Sequence, residues 1–152
     1  MAKQRKTIEE IKSLLKENQL RITQTRLDVA KVLLDNLGSP MSPEEIFNQI
    51  TSSSIPCDQV SVYRILGTFE DIGLVIKSKF QGEASRYMVD ECGKTHKHHH
   101  HFFKCVSCNT VEPFDGCFIG KKEKDLESKG YTSLQHHIEI TGICPGCTDS
   151  KK

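Results

Sequence analysis

The sequence predicts an α+β protein in two parts: a winged helix-turn-helix, followed by a small α/β domain with a three-stranded sheet. In the first half, four segments carry apolar residues at helical spacing and are followed by two short β-type runs. In the second half, three strand-like runs accompany one helical segment, and two Cys-x-x-Cys pairs occur. We therefore expect a winged helix at 1–84, a hinge at 85–92, the α/β domain at 93–148 and a tail at 149–152.

Helix start signals place the four helices of the first part. Thr7, with Glu10 three residues later, has the pattern of a capping box, and Ser42-Pro43-Glu44-Glu45 combines an N-cap serine with proline at the first helical position. Glycine and serine breaks mark the helix ends. The predicted helices run from about 8 to 17, from about 24 to 36, from Pro43 to the serines at 52–54, and from Asp58 to Gly73.

β-Type runs complete both parts. Leu74-Val75-Ile76 and Arg86-Tyr87-Met88-Val89 flank Gln81-Gly82-Glu83, which predicts a two-stranded wing, although an ordinary helical subdomain with a hairpin fits the same pattern. In the second part we expect strands at about 99–106, 110–114 and 132–143, and a helix at about 118–129 that ends at Gly130.

Composition excludes several classes of protein. No run of 18 apolar residues occurs, so no membrane span is expected, and the basic N-terminus leads into Thr7-Ile8-Glu9-Glu10 rather than the apolar segment of a signal peptide. We therefore expect a cytoplasmic protein in a reducing compartment. Net charge is only +1, but residues 3–31 hold eight basic against four acidic side chains, a local surplus of the kind that DNA binding needs.

The strongest chemical signal is the pair of Cys-x-x-Cys motifs, Cys105–Cys108 and Cys144–Cys147. Two intervening residues let both thiolates reach one ion at about 2.3 Å, and two such pairs complete a tetrahedron. In a reducing compartment this pattern favours zinc over disulfides, with a redox dithiol pair as the alternative. A closed four-thiolate site is structural, and its binding energy becomes folding energy.

A histidine run precedes the first cysteine pair, with five histidines within residues 96–101. In a strand, His99 and His101 face one side and His98 and His100 the other, so the run could supply two metal sites, or one site and a solvent face. Cys57, beside Pro56, is expected to pack in the first part. The candidate ligands of a second metal are His96, His98, His99, His100, His101, His136, Cys92 and Cys117.

The fourth predicted helix carries polar side chains away from its apolar stripe. Ser61, Tyr63 and Arg64 could contact the phosphates or bases of DNA. Arg21, just before the second helix, could reach a minor groove. A solvated helix face with ordinary surface charges is the alternative interpretation of the same residues.

The chain resembles the ferric uptake regulator (Fur) family of bacterial metal-dependent repressors in the order and spacing of four features. They are Leu20-Arg-Ile-Thr-x-x-Arg26, Val60-Ser-Val-Tyr-Arg-Ile-Leu66, the histidine run and the two cysteine pairs. The resemblance covers roughly residues 7–148. It implies a homodimer, held together by the α/β domain, whose fourth helix lies in the major groove of double-stranded operator DNA. It also implies structural zinc at the four cysteines and a regulatory divalent metal at the hinge that closes the dimer onto DNA.

Four departures from the family pattern concern the regulatory metal. Met88 stands where an acidic residue usually follows the Arg-Tyr of the wing, and Ser39-Pro40-Met41 stands where a histidine often precedes the third helix. Ile119-Gly120 occupies the region of a carboxylate that usually assists His136. The usual His-x-x-Cys is one residue longer here, His101-Phe-Phe-Lys-Cys105, which suggests a bulge or a shifted register.

A site that has lost oxygen ligands and keeps imidazoles, with Cys92 or Cys117, favours zinc over iron or manganese, although Asp90 or Glu91 could replace the lost carboxylate. The hypothesis is therefore a zinc-responsive repressor of metal-uptake genes. The alternatives are an iron- or peroxide-responsive regulator of the same family and, from another class, a metal-storage or metallochaperone protein. We expect no enzymatic activity, because the sequence has no His-Glu-x-x-His, no nucleophile elbow and no convincing general base.

Overall fold

The computed structural model describes residues 6–51, 56–80, 82–91, 101–114, 116–134, 136 and 138–149. The chain divides into two compact units, Met1–His96 and Lys97–Lys152. The first contains α1 (Ile8–Glu17), α2 (Gln24–Asp35), α3 (Pro43–Thr51), α4 (Gln59–Asp71), β1 (Val75–Ser78) and β2 (Arg86–Val89). The second contains β3 (His101–Cys105), β4 (Val111–Phe114), α5 (Gly120–Glu127), β5 (Glu139–Gly142) and α6 (Pro145–Asp149). The predicted α+β class is confirmed.

Capping bonds explain why the helices begin where the sequence predicts. The Glu10 backbone N–H donates to the Thr7 hydroxyl, and the Thr7 N–H donates to the Glu10 carboxylate at 2.7 Å. Ser42 and Glu45 exchange the same pair of bonds at the start of α3. These bonds satisfy amides that have no partner inside the helix, so the starts of both helices are set by local sequence.

The core of the first unit fixes the orientation of α4. Val62, Ile65, Leu66 and Phe69 of this helix are all buried, at the spacing i, i+3, i+4 and i+7. They belong to one apolar cluster with buried residues of α1, α2, α3 and β1. Because this stripe faces inward, the opposite face of α4 lies in solvent.

The wing is an antiparallel pair of β1 and β2, in register from Val75–Val89 to Ser78–Arg86. Met41, two residues before α3, extends this pairing, because its backbone and that of Tyr87 exchange two hydrogen bonds of 2.9 and 2.7 Å. The structure therefore places residues 86–89, which lie within the expected hinge at 85–92, in the first unit. β2 belongs to the first unit because it is bonded on one side to β1 and contacts Met41 as well.

The second unit contains the predicted three-stranded sheet, in the order β4-β3-β5. β4 is antiparallel to β3, and β5 is parallel to it. The long strand expected at 132–143 is wrong: among the residues of this range that the structure describes, only Glu139–Gly142 form a strand, and the φ of 57° at Ser133 interrupts an extended chain. The helix expected at 118–129 is shorter, and α6 was not predicted; it includes Asp149, which the sequence places in the tail.

The strand that carries the end of the histidine run is regular. β3 pairs residue by residue with β4, from His101–Phe114 to Lys104–Val111, so the bulge suggested before Cys105 is absent from these described pairs. The additional residue between His101 and Cys105 instead changes which face of the strand His101 occupies. A separation of four places His101 on the same face of the strand as Cys105, whereas a separation of three would place it on the opposite face.

Candidate metal centres

The four cysteines of the two Cys-x-x-Cys motifs lie together in the second unit. Their Sγ atoms are all within 4.8 Å of one another, and Cys108 Sγ is 3.8 Å from Cys144 Sγ. Four sulfurs bound at about 2.3 Å around a tetrahedral zinc are about 3.8 Å apart, whereas a disulfide requires about 2.05 Å. The spacing therefore fits ligands of one ion and not disulfides.

Strand pairing brings the two motifs together. The parallel pairing of β3 with β5 places Cys105 opposite Gly142, two residues before Cys144. Asn109, with a φ of 60°, closes the turn after β3, and its N–H donates to the Cys105 carbonyl. This turn returns Cys108 towards Cys144, at the start of α6.

Hydrogen bonds shift the pKa values of these thiols in opposite directions. The backbone N–H of Cys144, 3.3 Å from Cys105 Sγ, and then that of Cys108 lower the pKa of Cys105 to about 6. The Thr110 hydroxyl, 3.1 Å away, is the main cause that lowers the pKa of Cys108. For Cys144, the N–H of Cys147 lowers the pKa, but the thiols of Cys147 and Cys105 outweigh it and raise the pKa to about 12. Four thiolates so close together require a cation.

A second cluster combines His101, Cys117 and His136, whose ligand atoms also lie within 4.8 Å of one another. His101 is buried at the start of β3, Cys117 lies just before α5, and His136 lies just before β5. Cys117 Sγ is 3.2 Å from His136 Nε2. A nitrogen and a sulfur on one tetrahedral zinc are about 3.5 Å apart, so this pair also has nearly the spacing of two ligands of one ion.

One residue of this site was missed by the sequence analysis. Glu123, in the first turn of α5, has Oε1 2.6 Å from His136 Nδ1. The inference that His136 lacks a carboxylate partner because Ile119-Gly120 occupy the usual region is therefore wrong. Glu123 lies one helical turn after Gly120, on the same face of the helix, and that spacing was the available signal.

The other positions considered for the regulatory metal have different outcomes. Met88 and Met41, which stand where the family usually has ligands, are both buried in the first unit. Among the described residues of that unit, no three histidine, cysteine or acidic side chains come together as metal ligands do. Cys57 packs against the first core as expected, and burial is the main cause that raises its pKa. The other candidates lie outside the described residues: Cys92, His96, His98, His99 and His100.

The solvent face of α4 carries the predicted DNA-binding side chains. Tyr63 is 50% exposed and Arg64 beside it is exposed. Ser61 differs, because its hydroxyl donates to the Asp58 carboxylate at 2.6 Å and its N–H donates to the other carboxylate oxygen, which together lower the pKa of Asp58. Ser61 therefore contributes to the start of α4. Arg21 is exposed just before α2. Among the described helices, none is long and apolar enough to cross a membrane.

A winged helix followed by a cysteine-rich α/β unit with two groups of metal-ligand side chains defines a class of two-domain, metal-linked winged-helix proteins. The model of the ferric uptake regulator family matches residues 17–141. The ferric uptake regulation protein of Legionella pneumophila is 31% identical over 134 residues, which cover 88% of this chain and 95% of that protein. That of Synechococcus elongatus is 31% identical over 147 residues, which cover 95% and 97%.

Solved structures agree with the family model. The Helicobacter pylori ferric uptake regulator Fur, described as having three functional metal binding sites, aligns with a TM-score of 0.72 at 25% identity. The alignment covers 99% of this chain and 100% of that one. The chain belongs to the ferric uptake regulator family and is a metal-responsive transcriptional regulator, as the resemblance in its sequence predicted.

Proposed function

We propose that the chain is a zinc-responsive repressor of metal-uptake genes that binds double-stranded operator DNA as a homodimer. The observation that carries the DNA-binding part is the solvent face of α4, where Tyr63 and Arg64 are exposed on a helix fixed by its buried stripe. An exposed arginine on such a helix can contact guanine or phosphate, and an exposed tyrosine can contact the DNA backbone. Arg21 adds an exposed positive charge just before α2.

The four-cysteine cluster is assigned to structural zinc. Its sulfur spacing fits one tetrahedral ion, and all four positions are thiols, which leaves no open position for chemistry. Zinc supplies the charge that lets all four thiols ionise together. The cysteines themselves connect the turn after β3 to α6 at the end of the second unit.

The regulatory metal is assigned to His101, Cys117 and His136, with His96, His98, His99, His100 and Cys92 as further candidate ligands. Two imidazoles and a thiolate suit zinc better than iron or manganese. The relatives named above are called ferric uptake regulators, which keeps an iron-responsive regulator as the second candidate. Metal at this site joins β3 to the segments before α5 and β5, and it favours the DNA-binding form if that form holds it more tightly.

Exposed apolar side chains of the second unit support a homodimer. Within the described residues β5 is at an edge of the sheet, and its Ile140 is 41% exposed. Phe118 is 70% exposed, and Tyr131 is exposed as well. Apolar side chains on an open sheet edge are typical of surfaces that bind another protein, and a second copy of the chain covering β5 would bury Ile140.

Binding of the untagged full chain to duplexes from the upstream regions of metal-uptake genes tests the proposal, with zinc, iron or manganese added. We expect Arg64→Ala to weaken binding by about 1–3 kcal/mol and to reduce the salt slope by about one per protomer, because one cation is lost at the DNA. Lys121→Ala, which removes an exposed charge from α5, is the matched control and should bind as the wild type does.

The outcomes separate the alternatives. An Arg64→Ala protein with unchanged affinity and salt slope would contradict a repressor that reads DNA with α4, and it would favour metal storage if several ions bind per chain. Activation by iron with zinc inert would leave the repressor in place and replace zinc by iron as the effector. Metal release on treatment with hydrogen peroxide, together with loss of DNA binding, would indicate a peroxide-responsive regulator.

A further inference from the structure

Of the three acidic side chains of α5, only that of Glu123 is partly buried. Its side chain is 24% exposed, and that of His136 is 12% exposed. Asp125 and Glu127 on the same helix are both exposed. Glu123 Oε1 lies 2.6 Å from His136 Nδ1, at the short end of the range for a hydrogen bond to a charged group.

This contact determines which ring nitrogen of His136 carries a proton. An ionised carboxylate can only accept hydrogen bonds, so the proton of the shared bond lies on Nδ1. In a neutral imidazole the other nitrogen, Nε2, then has the free lone pair. Nε2 is the nitrogen 3.2 Å from Cys117 Sγ, within the cluster of ligand atoms.

We propose that Glu123 is a positioning residue for the second metal site, and that it directs the Nε2 lone pair of His136 towards an ion shared with Cys117 and His101. This inference rests on the proposed function only in assigning a metal to that cluster. Glu123 touches the nitrogen that faces away from Cys117, so it acts through His136 and is not itself a ligand. Such carboxylate–histidine pairs orient the ring and strengthen it as a ligand.

In the metal-free protein, the Cys117 thiol donates its hydrogen to Nε2 of His136. If a metal ion is bound, Cys117 would lose that hydrogen to solvent as a proton, and its thiolate and Nε2 of His136 would hold the ion. The position of Glu123 on α5 makes the arrangement rigid, because its backbone N–H donates to the Ile119 carbonyl inside the first helical turn.

Cobalt(II) titration of the full chain, with zinc already in the four-cysteine site, tests the role. The probe is Co(II) alone, followed by its ligand-field bands and by the sulfur-to-cobalt band that reports Cys117. We expect Glu123→Ala to bind Co(II) and Zn(II) at the second site about 10- to 100-fold more weakly than the wild type. Glu123→Gln should recover most of the affinity, since its amide oxygen also accepts from Nδ1. Glu127→Ala removes the same charge four residues along α5 and should bind as the wild type does.

Each outcome distinguishes this inference from the function on which it rests. A wild-type chain that binds no Co(II) beyond the four-cysteine site would overturn both. Wild-type binding with a sulfur band, together with unchanged affinity in Glu123→Ala, would overturn only the role of Glu123. If Glu123→Gln were as weak as Glu123→Ala and both had altered ligand-field bands, Glu123 would be a direct ligand and the positioning role would be refuted.

Discussion

Cys144→Ser should weaken zinc binding at the four-cysteine cluster by a factor that follows from dividing the binding energy equally among four ligands. Cys144 contributes one of four sulfurs, and its backbone N–H also holds Cys105 Sγ. Structural zinc sites of small domains bind with about 10–16 kcal/mol, so one ligand of four accounts for about 2.5–4 kcal/mol. At 1.4 kcal/mol per tenfold change, the expected loss is roughly 60- to 700-fold.

The loss of zinc affinity in Cys144→Ser should be accompanied by unfolding of the second unit. Among the described residues, the second unit has only three buried apolar side chains, Phe102, Cys105 and Val111, whereas the first has nineteen. The assay is competition with a chromogenic zinc chelator, with hydrogen exchange of the second unit measured in parallel. Cys57→Ser, in the first unit, is the control and should retain zinc. A Cys144→Ser protein with wild-type zinc affinity and protection would refute the assignment of these four thiols to one structural ion.

Two further predictions concern ionisation and packing. Zinc affinity of the four-cysteine site should fall as pH falls. Between pH 8 and 6 the fall should be at least tenfold per pH unit, because Cys144, whose pKa is raised to about 12, must lose a proton to bind zinc. Below about pH 6 the affinity should fall more steeply, since Cys105, whose pKa is about 6, also becomes protonated. Chelator competition across pH measures this, and a pH-independent affinity would contradict it. Leu66→Ala should reduce the unfolding free energy of the first unit, measured by urea denaturation, by about 2–5 kcal/mol, because Leu66 is fully buried. Val60→Ala, at an exposed position of the same helix, is the control and should change this free energy little. A loss below about 1 kcal/mol for Leu66→Ala would contradict the packing.

Features decided by neighbouring residues could be predicted from the sequence. The capping pairs Thr7–Glu10 and Ser42–Glu45 form their bonds within four residues, so the helix starts follow directly from sequence. The cysteine cluster was predictable because spacing alone constrains which thiols can share an ion. The contact of Glu123 with His136 was not, since it depends on where α5 begins and on where the segment before β5 lies relative to it.

The limits of β5 and of the first unit were missed for a related reason. Apolar alternation continues through residues 132–143, but the positive φ of Ser133 is a backbone choice that the alternation does not encode. Similarly, the sequence places all of β2 in the expected hinge at 85–92, because local patterns do not encode its pairing with β1 and its bonds to Met41, which are contacts across many residues. Sequence patterns predict which segments are extended, and tertiary hydrogen bonds decide where each extended segment ends.

The four-cysteine cluster is assigned to the stability of the second unit, whereas the cluster of His101, Cys117 and His136 is assigned to regulation. If Glu123 only orients His136, Glu123→Ala weakens metal binding to the DNA-bound and free forms by the same factor. The coupling free energy between metal and DNA is then unchanged, because it depends on the ratio of the two affinities. The metal concentration for half-maximal operator binding should therefore rise about 10- to 100-fold, while operator affinity at saturating zinc stays that of the wild type. Lower affinity at saturation would mean that Glu123 also distinguishes the two forms, and that α5 moves between them.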